Sequence, residues 1–152
     1  MSLDGEVYVN KPVEVDEEKM RDIKQNFPLI YAIITKESVA KIDELIKQSP
    51  KIIGEQCYGK LPIHIACGFD SDPEVISKLL LAYPHSIKIG DDGGQLPLHF
   101  AAKMSTKPDT IAVLLTAYPD SANVGNEWGE TPLDYAIQYN IDPDQEYVIE
   151  LL

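Results

Sequence analysis

Four groups of side chains have the types and spacing that chemistry uses. His64 and His99 sit at matching places in LPIH and LPLH, and paired imidazoles suggest a metal site or acid–base work. Asp142, Asp144 and Glu146 alternate as oxygen ligands do at the start of a calcium loop. GDDGGQ, residues 90–95, has the glycine density of a phosphate cradle, and Cys57 lies close in sequence to His64 as a nucleophile would to its base. Each group lacks a necessary part. If the two LP-x-H phrases open neighbouring stacked helices, ~8–10 Å separates the imidazoles, too far for a shared zinc ion. The acidic run has neither the loop glycine nor the distant bidentate glutamate of a calcium loop. The glycine-rich stretch lacks a lysine, and its two aspartates would repel phosphate. Cys57 and His64 have no evident third group. We therefore expect no catalytic residue, no bound metal and no cofactor: the chain does not read as an enzyme.

The same residues gain meaning from repetition. GGQLPLHFAAK at 93–103 echoes YGKLPIHIACG 35 residues earlier and WGETPLDYAIQ 35 residues later. A catalytic motif occurs once, whereas a fixed period builds a stack of equivalent units. Pro28, Pro62, Pro97 and Pro132 set the register, at separations of 34, 35 and 35. Eleven residues on, Pro73, Pro108 and Pro143 are each followed by a carboxylate, which predicts the first turn of a second helix. Asp72 and Asp142, each just before such a proline, are expected to cap those helices. Pro50, Pro84 and Pro119 come twenty-two residues after the first marker and are expected to end the second helices. Val75, Ile76, Leu79 and Leu80 recur as Thr110, Ile111, Leu114 and Leu115, an apolar helical face and hence core. IKIGDDGG and ANVGNEWG predict protruding hairpin-like loops.

Composition limits what such a stack can do. With 152 residues, 44% hydrophobic and 25% charged, the chain can bury a core. No apolar run reaches the ~18 residues that cross a bilayer, and no leader pattern is visible, so an intracellular location is expected. Cys57 and Cys67 are too few for a disulfide framework and are expected to pack as small residues. The net charge is −12, and nine carboxylates follow Lys107, the last basic side chain. That balance disfavours nucleic acid and points to another protein as partner, basic if the acidic surface is used; otherwise the charge serves solubility.

These phrases resemble the ankyrin-repeat pattern Gly-x-Thr-Pro-Leu-His-x-Ala-Ala, through GKLPIHIAC at Gly59–Cys67, GQLPLHFAA at Gly94–Ala102 and GETPLDYAI at Gly129–Ile137. Leu61 and Leu96 replace the pattern's threonine, and Asp134 and Ile30 replace its histidine in the last and first units. The resemblance implies an all-α ankyrin-repeat solenoid of stacked helix-turn-helix units with projecting hairpin-like loops. It also implies that His64 and His99 hydrogen-bond backbone between neighbouring units. Residues 1–20 are expected to form an acidic arm, ordered where a helix starts at Asp16–Met20. Residues 21–152 form the repeat domain, with repeats at about 24–57, 58–92, 93–127 and 128–152. The first unit reads as a degenerate cap. The 35-residue period exceeds the usual ~33, and the surplus is assigned to the turns GFDSD and MSTK.

Function is then expected on the shared surface, as a non-catalytic protein-binding module. Lys103 with Met104, and Gln138 with Tyr139, should face the groove together with Phe69. Phe69, Met104 and Tyr139 form one column, either an exposed binding stripe or packing against neighbouring loops. Tyr58 and Trp128 should project from loop tips beside Asp91, Asp92 and Glu127. A monomer is expected, with weak self-association possible through the apolar C-terminal edge YVIELL. The alternatives are a structural or oligomerising segment of a larger repeat protein, or the targeting part of an enzyme whose catalytic part lies elsewhere.

Overall fold

A computed structural model describes residues 16–104, 107–139 and 146–152. Residues 1–15, the Ser105–Thr106 part of the MSTK turn, and Asp142, Pro143 and Asp144 lie outside the described residues. Expectations about most of the arm, the calcium-like run and the last Asp-Pro cap therefore fall there too.

Proline begins the inner helices: α2 Pro28–Ile34, α4 Pro62–Gly68, α6 Pro97–Met104 and α8 Pro132–Tyr139. The outer helices are α3 Val39–Gln48, α5 Pro73–Ala82, α7 Pro108–Ala117 and α9 Glu146–Leu151, and α1 Glu17–Asn26 precedes them all. At N1 the missing proline N–H is no loss and φ is already helical. Helix α3 begins without proline, and there Ser38 Oγ accepts from the Lys41 N–H at 3.2 Å. The described residues contain no strand.

Inner helices stack in the order α2, α4, α6, α8 and outer helices as α3, α5, α7, α9, so each described repeat packs mainly on its neighbours. Ile42, Ile76, Ile111 and Leu114 lie wholly buried between the layers, one outer-helix face as the periodicity required. Asp16 caps α1 by accepting from the Glu18 N–H at 2.9 Å. The helix runs through residue 20, where the arm was expected to end, and seals the first repeat with Ile23 against Ile30 and Cys57. Cys57 and Cys67 are buried, free thiols, and burial pushes both pKa values up.

Two local details differ from expectation. Pro50, Pro84 and Pro119 each start a 3₁₀ turn (Pro50–Gly54, Pro84–Lys88, Pro119–Asn123), so they redirect the chain as well as ending a helix. Ser86 and Ser121, both buried, donate Oγ–H to the carbonyls of Tyr83 and Tyr118 and hold two of these turns. Asp72 occupies the N-cap of α5 but makes no capping bond. Its carboxylate meets Lys107 Nζ at 3.0 Å, and the same ammonium donates to the Asp70 carbonyl at 2.9 Å. A residue read as a local cap thus ties repeat to repeat.

Candidate functional site

The site begins with what holds the loops still. His64 Nδ1 accepts from the Leu61 N–H at 3.0 Å, so Nε2 carries the proton and donates to the Ile89 carbonyl, where the following loop begins, at 2.9 Å. His99 Nδ1 accepts from the Leu96 N–H and its Nε2 donates to the Glu130 carbonyl, at the far end of its following loop, both at 3.0 Å. Both rings are fully buried. Burial lowers the pKa of His64 to about 4, outweighing the bond to Ile89 and the Asp91 carboxylate that favour charge. It lowers that of His99 as well. The neutral, Nε2-protonated tautomer is therefore the working form: one nitrogen caps its own helix and the other fastens the following loop. Phe100 and Tyr135, from the next repeat, pack edge-on against these rings at 5.5 Å.

Backbone pairs close the loops in hairpin fashion: Asp91 N–H to Gln95 carbonyl at 3.0 Å, and Asn126 N–H to Glu130 carbonyl at 2.9 Å. Asp91 Oδ1 accepts from the Gly93 and Gln95 N–H groups at 3.0 and 2.9 Å, and Asn126 Oδ1 accepts from those of Trp128 and Glu130, both at 3.0 Å. The loops also stack. Glu127 N–H donates to the Gly93 carbonyl at 3.0 Å. A Cβ on Gly93 would lie 2.9 Å from the Trp128 indole, so the glycine where its neighbours carry aromatics leaves room for that ring.

The expected binding residues divide into two sets. Tyr58 and Trp128 are 64% and 67% exposed at equivalent loop tips on either side of the Gly93 loop, Asp92 and Glu127 are exposed on these loops, and Gln138 is exposed on α8. Asp91 is at the expected place, but its side chain is only 4% exposed and engages Lys60 at 3.4 Å. It shapes the loop. Phe69, Met104 and Tyr139 are half-buried rather than open. Tyr139 leans on Tyr135 at 5.5 Å and carries Lys103 Nζ 4.2 Å from its ring centroid. Asn126, which the sequence reading passed over, is a loop-former whose signal was its alignment with Asp91, 35 positions earlier.

No group of three or more His, Cys, Asp or Glu side chains among the described residues could hold a metal ion, and no helix among them is long and apolar enough to cross a membrane. No curated protein matches the chain. The family model for ankyrin repeats (3 copies) matches residues 63–152, more than half of the 152 residues. Ankyrin repeats are generally protein–protein interaction modules and are typically non-catalytic. With the histidine-linked helix pairs in register, the chain belongs to the ankyrin-repeat family.

Proposed function

We propose that this protein is a non-catalytic binding module that holds a segment of a basic partner protein along its loop tips and the adjoining inner-helix groove. One observation carries the reading. The two most exposed aromatic rings among the described residues, Tyr58 and Trp128, stand at equivalent loop tips, and the Asp92 and Glu127 carboxylates are exposed on the same row of loops. Aromatic rings give large contact area at small entropic cost, and carboxylates among them select Lys or Arg. The loops are fastened before a partner arrives, by the histidine bonds and the Glu127–Gly93 bond, so little ordering cost falls on the receptor. Lys103, Met104 and Tyr139 would form the inner wall.

Trp128 is the only tryptophan and reports on its own site. The test is affinity capture from a lysate by the intact protein, by a Tyr58→Ser, Trp128→Ser variant, and by a Phe69→Ala, Met104→Ala, Tyr139→Ala variant, each shown to be folded. A protein held by the first, lost by one of the others and able to shift Trp128 emission supports the reading. Equal capture by all three removes it.

A further inference from the structure

A large apolar groove lies on the other side of the stack. It has a volume of about 760 Å³ and runs between α5 and α7, walled by Leu80, Leu81, Ile87, Ala112, Val113 and Thr116. Equivalent outward positions show how unusual this is. On α3 they hold Asp43, Glu44 and Lys47, on α5 Ser77, Lys78 and Leu81, and on α7 Ala112, Val113 and Thr116. Charge disappears along the stack. Leu81, 77% exposed, stands where the first repeat has Lys47, and the only charged side chain of α7 is Asp109, in its first turn. Packing between repeats does not require an apolar outer face, as α3 demonstrates. A helix that is apolar on its solvent side as well as its core side is ordinarily covered.

We propose that this groove is a second docking site, taking one amphipathic helix of another protein that presents Leu-type anchors at i, i+3, i+4 and i+7 with Lys or Arg beside them. The shape selects a helix. The walls are two ten-residue helices, each about 15 Å long and some 8–10 Å apart, which matches about three helical turns laid along the furrow. Charge selects its flanks. Asp109 is the only charged lining residue, and exposed Glu150 belongs to α9, the helix packed against α7. On the far edge, the Lys47 and Lys78 ammoniums are both within ion-pair reach of Asp43. A second copy of this chain fits poorly. It would set −12 against −12. Two helix faces of this length also offer on the order of 300 Å², well short of the roughly 800 Å² per partner of a stable dimer.

The probe is a fluorescein-labelled, end-capped 18-residue peptide with Leu at those spacings and Lys elsewhere, titrated by anisotropy against the whole protein. Leu81→Gln removes the exposed wall and Ala112→Gln fills the floor; both positions are solvent-exposed, so the fold is retained, and circular dichroism verifies it. The inference expects either change to weaken binding at least tenfold. Asp92→Asn with Glu127→Gln should leave binding within twofold, and Trp128 emission should not change when the peptide binds. Absence of binding overturns the inference. So does loss of binding with the loop variant alone, which would assign the peptide to the loop tips. A wild-type dimer in sedimentation that Leu81→Gln dissociates would overturn it too, by making a second copy the occupant. Because the loop-tip reading is judged by Trp128, either reading can fail alone.

Discussion

The two joints in the middle of the stack are built differently from its ends, and a single column shows how. Residues 30, 64, 99 and 134 are equivalent. His64 and His99 are fully buried, fasten the next loop, and take an aromatic edge from the next repeat. Ile30 is equally buried but purely apolar, packed with Ile23, Cys57 and Ile65 under α1. Asp134 is exposed and turns inward on its own repeat, accepting from the Thr131 N–H at 2.7 Å and the Thr131 hydroxyl at 2.8 Å. One column thus contains a joint that needs a particular protonation state, a joint that needs only volume, and an aspartate whose bonds, among the described residues, stay within its own repeat. The lesson is that the motif's histidine is a coupling device, which at residues 64 and 99 ties each helix to the loop that follows it.

Breaking the middle joints should have the largest effect. His64→Ala leaves a void and strips partners from the Leu61 N–H and the Ile89 carbonyl, for an expected loss of about 3–4 kcal/mol in urea unfolding. Ile30→Ala should lose about 2–4 kcal/mol from lost volume. The comparison is decided by pH. The unfolded chain binds a proton at His64 near its ordinary 6.5 and the native chain only near 4, so the neutral joint gives its full stability above about pH 6.5. That contribution falls as pH drops toward 4, by about 3 kcal/mol in all. His99, lowered for the same reason, adds to the fall in the same direction. Ile30→Ala should keep this dependence, and His64→Ala should flatten it. Equal slopes in the two variants would refute the protonation argument.

A smaller effect should separate covered from uncovered loops. Gly94 and Gly129 have nearly the same backbone, φ +72° and +79°, so alanine at either should lose about 1 kcal/mol through strain in the left-handed region. Only Gly94 lies under another loop: its added Cβ would be 3.2 Å from the Glu127 nitrogen, whereas at Gly129 nothing lies within 4 Å. Gly94→Ala should therefore unfold at lower urea than Gly129→Ala and weaken protection of the Glu127 amide against hydrogen exchange. If the two variants match, the loops do not support one another.

Much of this was legible in the sequence because the determinants are local and repeated. The prolines at 28, 62, 73, 97, 108 and 132 start helices where their spacing says, and the apolar face shared by Ile76 and Ile111 is core. The imidazole bonds followed from the family pattern. What stayed hidden depends on residues one period apart. Lys107 binding Asp72, Trp128 lying over Gly93 and Asp91 turning inward toward Lys60 are contacts between stacked turns, and no periodicity within a helix encodes which side chain leans across. The outer groove was hidden for another reason. Its signal is the loss of charge from Lys47 to Leu81 to Thr116, visible only when equivalent outward positions are compared across repeats.

The smallest expected effect tests the terminus. Asp134 has its pKa lowered, first by the Thr131 N–H bond and then by the Thr131 hydroxyl. Its contribution is therefore present above its ordinary 3.8 and lost as pH falls through a still lower value. That window lies below the histidine window, so Asp134→Ala should leave the loss between pH 6.5 and 4 unchanged. It should lower stability at neutral pH by less than His64→Ala does, because the side chain is exposed and leaves no void. Asp134→His is the sharper experiment, since it installs the interior residue at a position whose side-chain bonds, among the described residues, stay within its own repeat. If the histidine acts by coupling repeats, this change should give no gain over Asp134→Ala. If it acts mainly as a helix cap through Nδ1, Asp134→His should recover what Asp134→Ala loses, and the unfolding midpoints of these two variants decide between coupling and capping.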